Sequence, residues 1–172
     1  VGLPKLRFLH VANSPISDVN SLASLKDLED LDLGMTNVSD LSPLSSLTRL
    51  RRIDLSYSPV IDISPFSGMS SLENLNLYDT KVADISPLAT HTSLEVLNLS
   101  STKVSDIGVV ALMPRLKVLD LSFTKVTDID ALEHATQLID LNMVEAPVAD
   151  LSPLSGLRKL QRLSIEGTAV SD

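Results

Sequence analysis

The sequence predicts an α/β repeat solenoid: a stack of short parallel strands joined by short 3-10 or α segments. Three observations predict it. The first is a strict period. Leu116–Asp128 reads L-K-V-L-D-L-S-F-T-K-V-T-D, and 22 residues earlier Leu94 opens L-E-V-L-N-L-S-S-T-K-V-S-D. The frame opens at Leu6, Leu28, Leu50, Leu72, Leu94, Leu116, Leu138 and Leu160, seven full repeats and a truncated eighth, with no insertion or deletion. A fixed period of this size is the signature of stacked repeat units. The second observation is the alternation Leu31-Asp32-Leu33, a period of two that sends apolar and polar side chains to opposite faces of a strand. The third is Ser-Pro after the turn in four of the frames, at Ser42-Pro43, Ser64-Pro65, Ser86-Pro87 and Ser152-Pro153. Ser followed by Pro is a helix-start signal, with the hydroxyl expected to cap.

In chain order, residues 1–5 (V-G-L-P-K) read as the tail of a preceding repeat, because Leu3 falls where Leu25 and Leu47 fall later. Each frame then carries L-x-x-L-x-L, and a strand is expected at Leu31–Leu33 and at its equivalents. Strands stacked at this period pair in parallel, about 4.8 Å apart. Parallel sheets usually have both faces covered, but the polar residues between the leucines leave one face of this sheet open.

After the strand comes a hydroxyl column: Ser14, Thr36, Ser58, Thr80, Thr102, Thr124 and Thr168, with Ala146 the exception. It should point inward and bond backbone groups of neighbouring turns, since buried polar groups need partners. Two places on, Ile16, Val38, Val60, Val82, Val104, Val126, Val148 and Val170 supply a β-branched core column. In repeats five and six the Ser-Pro signal is missing, and Asp130 with Glu133 has the spacing of a capping box. Longer, α-helical outer limbs are expected there.

Leu, Ile and Val must fill the core, because the chain is 44% hydrophobic but only 3% aromatic. All eight frames read as one domain, residues 1–172, whose two ends cut through repeats. The reading is therefore an uncapped fragment of a longer protein, with end-to-end self-association through its apolar ends. No apolar run is long enough to span a membrane. The absence of Cys excludes disulfides without settling the compartment, so an intracellular scaffold and a surface or secreted protein both stay open.

The net charge of −8 has one source: Asp18, Asp40, Asp62, Asp84, Asp106, Asp128, Asp150 and Asp172 hold the same place in every frame. An acidic chain disfavours nucleic acid and anionic membrane as partners. As a line of hard oxygens the column could be read as a Ca²⁺ site. However, one Asp per turn cannot supply six or more ligands, and Asp at a bend ordinarily accepts local N–H groups. His91 lies between Met69 and Met113 at an inward position and reads as a partly buried, hydrogen-bonded filler. His10 and His134 are in distant repeats, so no metal cluster is expected. Lys81, Lys103 and Lys125 form a stripe that reads as solvated lysines screening carboxylates rather than as a grip for an acidic partner. There is no phosphate loop, no nucleophile motif and no paired carboxylate, so neither an enzyme nor a cofactor is implied. Asn37-Val38-Ser39 and Asn98-Leu99-Ser100 match the glycosylation sequon, a weak pattern.

The pattern L-x-x-L-x-L-x-x-T-x-V-x-D-I-x-P-L resembles the leucine-rich repeat family. Its 22-residue length is similar to that of bacterial internalins and phosphatase regulatory subunits. The resemblance covers essentially the whole chain. It departs from the family in having Thr or Ser where Asn is commonest and in lacking terminal caps. It implies a right-handed arc whose concave parallel sheet binds a protein, with the short 3-10 or α segments on the convex side. Two further readings accompany it: an internalin-like surface adhesin, and the substrate-recognition part of a larger enzyme whose catalytic domain lies outside this chain.

The aromatics point to where such binding would occur. Phe66 falls at an inward position, whereas Phe8, Tyr57, Tyr78 and Phe123 fall between or just after the strand leucines, where side chains face the open side. Exposed aromatics on a rigid surface are the usual material of hot spots. Tyr57 and Tyr78 should meet on adjacent turns, with Arg51, Arg52, Asp54, Glu73 and Asn76 as a polar rim. The expected site is therefore the concave face at Phe8, Arg51, Arg52, Asp54, Tyr57, Glu73, Asn76, Tyr78 and Phe123.

Overall fold

A computed structural model describes residues 3–171. The equivalent apolar positions of successive frames stack on one another, and this stacking generates the whole architecture. Strands β1 (Phe8–His10), β2 (Asp30–Asp32), β3 (Arg52–Asp54), β4 (Asn74–Asn76), β5 (Val96–Asn98), β6 (Val118–Asp120), β7 (Asp140–Asn142) and β8 (Arg162–Ser164) form one parallel sheet in sequence order. Register follows the period: Leu31 faces Ile53, Ile53 faces Leu75, and Leu75 faces Leu97. The crossovers are right-handed, as parallel connections almost always are, and the sheet lines the concave side.

The strands begin and end one residue earlier than the leucine alternation predicts, at Asp30–Asp32 rather than Leu31–Leu33. In β2 to β7 the side chain at the last strand position turns back on the chain that follows. Asp32 Oδ1 accepts the Gly34 N–H at 2.9 Å, and Asp54, Asn76, Asn98, Asp120 and Asn142 take the N–H two residues on in the same way. Each of these bonds fixes the turn that follows its strand.

The outer limbs are all 3-10 turns, at Asn20–Ser24, Ser42–Leu44, Ser64–Phe66, Ser86–Thr90, Gly108–Leu112, Asp130–His134 and Ser152–Gly156. The α-turns expected in repeats five and six do not form, because 22 residues leave too little chain for one. Nor does the capping box: the Asp130 N–H donates to Asp128 Oδ1 at 2.9 Å. The Ser hydroxyls of Ser-Pro do not cap either. Instead the Asp column fills that role, with Asp40, Asp62, Asp84 and Asp150 accepting the N–H of Ser42, Ser64, Ser86 and Ser152 at 2.7–2.8 Å. Asp172 lies outside the described residues.

Between sheet and outer limbs lies a core of stacked leucines: Leu28, Leu31, Leu33, Leu50 and their equivalents in the inner repeats are buried, and Phe66 lies fully among them. The Val column from Val38 to Val148 is buried, Ile16 is partly covered and Val170 is exposed. At the two ends Leu3 and Leu163 are 57% and 42% exposed. The hydroxyl column points inward as predicted but bonds within its own turn: Thr36, Thr80, Thr102 and Thr124 donate to the carbonyl three residues back at 2.6–2.8 Å. A Thr Oγ1 reaches the local carbonyl before that of the next repeat, so the column stiffens turns rather than joining them. Ala146, which has no hydroxyl, is simply buried.

Candidate functional site

Side chains at the first and last positions of each strand project from the concave face. Across β1 to β5 they line a shallow groove of about 370 Å³, with Asp30, Asp32, Arg52, Asp54, Asn74 and Asn76 among its walls. Arg52 Nε donates to Asp30 Oδ2 at 2.9 Å. Asp54 accepts from the Ser56 N–H and from Asn76 Nδ2, each at 2.8 Å, and Asn76 Oδ1 accepts the Tyr78 N–H at 3.1 Å. The groove floor thus holds the backbone of the turn beyond it in place.

That turn forms the flank carrying Tyr57 and Tyr78. Their rings meet edge to face, with centroids 4.8 Å apart and planes at 89°. The pair is seated on a continued ladder, the Tyr57 N–H donating to the Tyr78 carbonyl at 2.8 Å. The Tyr78 hydroxyl, together with desolvation, holds the Tyr57 phenol above its ordinary value. Tyr57 is 48% exposed, with φ of +57°. The left-handed conformation recurs in this column at Asn13, Met35, Tyr57, Asp79, Ser101, Phe123, Glu145 and Gly167. It costs a residue with a Cβ roughly 1–2 kcal/mol, so a Tyr, Phe or Met there is displayed at the expense of local comfort.

The nine predicted site residues do not form one cluster. Arg52, Asp54 and Asn76 are together in the groove, and Tyr57 and Tyr78 are together on the flank. Phe123 is in the Tyr57 column three repeats on and 58% exposed. Arg51 and Glu73 do not rim the tyrosines: they pair at 2.6 Å along the opposite flank, in a separate groove with Arg7, Glu29 and Arg49. They precede the strands, where the in–out alternation has not yet begun. Phe8 is at the first strand, under the Arg7 guanidinium at 5.6 Å. Sequence reasoning missed Met35, which is 55% exposed one repeat before Tyr57 in the same column. Its signal was its frame position, 22 residues ahead of Tyr57.

No group of three or more His, Asp or Glu side chains is arranged to hold a metal among the described residues. The Asp column is engaged by N–H groups, and the serines two residues on hold Asp40, Asp84 and Asp150 below the usual carboxylate range. His91 departs from the expected hydrogen-bonded filler: it is fully buried, and among the described residues neither ring nitrogen has a hydrogen-bond partner. Burial pushes its imidazole down, and the nearby Leu88 and Phe66 backbone groups only partly oppose that. No described helix is long and apolar enough to cross a membrane.

A sequence model of the family described as Leucine Rich repeats (2 copies) matches residues 4–46, 48–90 and 92–134, well over half of the chain. The protein belongs to the leucine-rich repeat family. Its structure is similar to that of an internalin, InlF of Listeria monocytogenes, at 29% identity and a TM-score of 0.84, covering 99% of this chain and 57% of that one. The chain therefore spans little more than half the length of that relative. Internalin C2 of the same organism aligns at 28% identity and a TM-score of 0.94, over 96% of this chain and 73% of that one. A plant peptide hormone receptor, RGFR1 in complex with RGF2, shares the fold at 22% identity and a TM-score of 0.86, over 99% of this chain and 29% of that one. No curated protein matches the sequence.

Proposed function

We propose that the protein is a non-enzymatic protein-binding module, and that it holds its partner on the concave face and the turn flank that continues it. One observation carries the reading: an open sheet whose edge displays a packed Tyr57–Tyr78 pair beside a polar groove of Arg52, Asp54 and Asn76. An aromatic centre with a polar rim is how protein interfaces are commonly built. The internalin neighbours and the receptor solved with RGF2 support a binding role for this kind of surface. The exposed Leu3 and Leu163 would additionally let isolated copies stack end to end.

The test is a binding titration with a purified partner recovered from the source organism. Tyr57→Ala, Tyr78→Ala and Asp54→Ala should each weaken binding, while Lys103→Ala leaves it unchanged. Normal binding by all three variants would move the site to the convex face.

A further inference from the structure

Carboxylates are distributed unequally between the two flanks of the sheet. Along the upstream flank they are matched: Glu29 pairs with Arg7, Glu73 with Arg51, Glu95 with Lys117 and Asp27 with Arg49. On the turn flank Asp79 and Glu145 make no ion pair among the described residues. Each follows an aromatic by one repeat in the left-handed column, Tyr57 then Asp79 and Phe123 then Glu145. Asp79 is near enough for its charge to add to the upward push on the Tyr57 phenol, behind the Tyr78 contact and desolvation. Glu145 leans over the bare face of Gly167, where a Cβ would meet its carboxylate at 2.6 Å. Lys81 leaves the same turn as Asp79, on the far side of the inward Thr80, and makes no ion pair among the described residues.

An aromatic face attracts a cation through its quadrupole, and an adjacent carboxylate strengthens that attraction. Tyr57 and Phe123 are three repeats apart, roughly 14 Å at the inter-strand spacing. An extended chain rises about 3.3 Å per residue and returns to the same face every second residue, so four residues cover about that distance.

Resting on the binding reading above, we propose that the turn flank recognises an extended basic segment of its partner. One Lys or Arg sits against Tyr57, Tyr78 and Asp79, and a second, four residues along, sits on Phe123 with Glu145 beyond it. Met35 covers the apolar residue flanking the first cation. The overall charge of −8 draws such a segment in.

Fluorescence anisotropy with three labelled eight-residue peptides tests this. One carries two lysines four residues apart, one has glutamates in those places, and one has serines. The lysine peptide should bind, and the other two should not. Tyr57→Ala should weaken its binding about tenfold, Asp79→Asn about threefold, and Lys81→Ala should tighten it. A lysine peptide that binds Tyr57→Ala and Asp79→Asn as well as the parent would be responding to net charge alone, and the proposal would fall. It would fall equally if the glutamate peptide bound as well or better. Should no peptide bind while a purified protein partner still loses affinity with Tyr57→Ala, the basic-segment proposal fails and the binding module stands. If the partner is also indifferent to Tyr57→Ala and Tyr78→Ala, both fail.

Discussion

The core and the turn flank keep the same 22-residue period, yet they are built to opposite rules. In the core one frame position reads Leu31, Ile53, Leu75, Leu97, Leu119, Leu141, all buried and nearly interchangeable. On the flank one frame position reads Met35, Tyr57, Asp79, Ser101, Phe123, Glu145, which differ in size, polarity and charge while the backbone stays left-handed throughout. The core tolerates little variety because each side chain must fill the space its neighbour leaves. The flank needs only the turn, so its side chains are free to carry recognition.

Breaking the core should have the largest effect. Leu97→Ala is expected to destabilise by about 2–5 kcal/mol in chemical denaturation, while the molecules that remain folded bind normally. A neutral result would mean that the inward column is not packed as described. On the flank the same truncation should act on the other quantity. Tyr57→Ala should remove at least about 2 kcal/mol of affinity and change stability by less than about 0.5 kcal/mol. Tyr57→Gly sharpens the contrast, since relief of the left-handed backbone should stabilise the fold by about 1 kcal/mol while binding is still lost.

Acid separates the two regions as well. The folded imidazole of His91 is depressed, so its contribution to stability is intact above the unfolded value of about 6.5 and declines as pH falls below it. The decline is at most about 1.4 kcal/mol per pH unit, until the folded value is reached. His91→Met should abolish that slope in melts between pH 7 and pH 5. Asp40, Asp84 and Asp150 are depressed too, so their contribution is present above about 4 and lost as pH falls through their folded values. That lower window should remain in His91→Met. The smallest effect is expected for Lys103→Ala, within about 0.5 kcal/mol in stability and without change in binding.

The core was legible because a period repeated eight times identifies each inward column without any structure. Local hydrogen bonding was less so. The strands lie one residue earlier than the leucines suggest, and Asp32 and its equivalents reach the N–H two residues on, a bond that the leucine pattern does not encode. The Ser-Pro signal marked the right turn but credited the wrong side chain, since the capping oxygen belongs to the Asp before it. At the site, the Tyr57–Tyr78 meeting followed from their offset of one repeat less one residue. Arg51 and Glu73 were misplaced because a frame position identifies the repeat but not the flank. Met35 was overlooked because Met is ordinarily a core filler, and only its place in the left-handed column shows otherwise.

The unbroken register has a consequence for how the molecule assembles. Strand partners are always 22 residues apart, from Leu9 with Leu31 to Leu141 with Leu163. The chain therefore never closes a loop longer than one repeat, however many repeats are stacked. Once two neighbours have docked, each further repeat adds to a template already in place, like a zip that can start anywhere along its length. Folding speed should then depend on how quickly the first pair forms, and hardly at all on how long the array is.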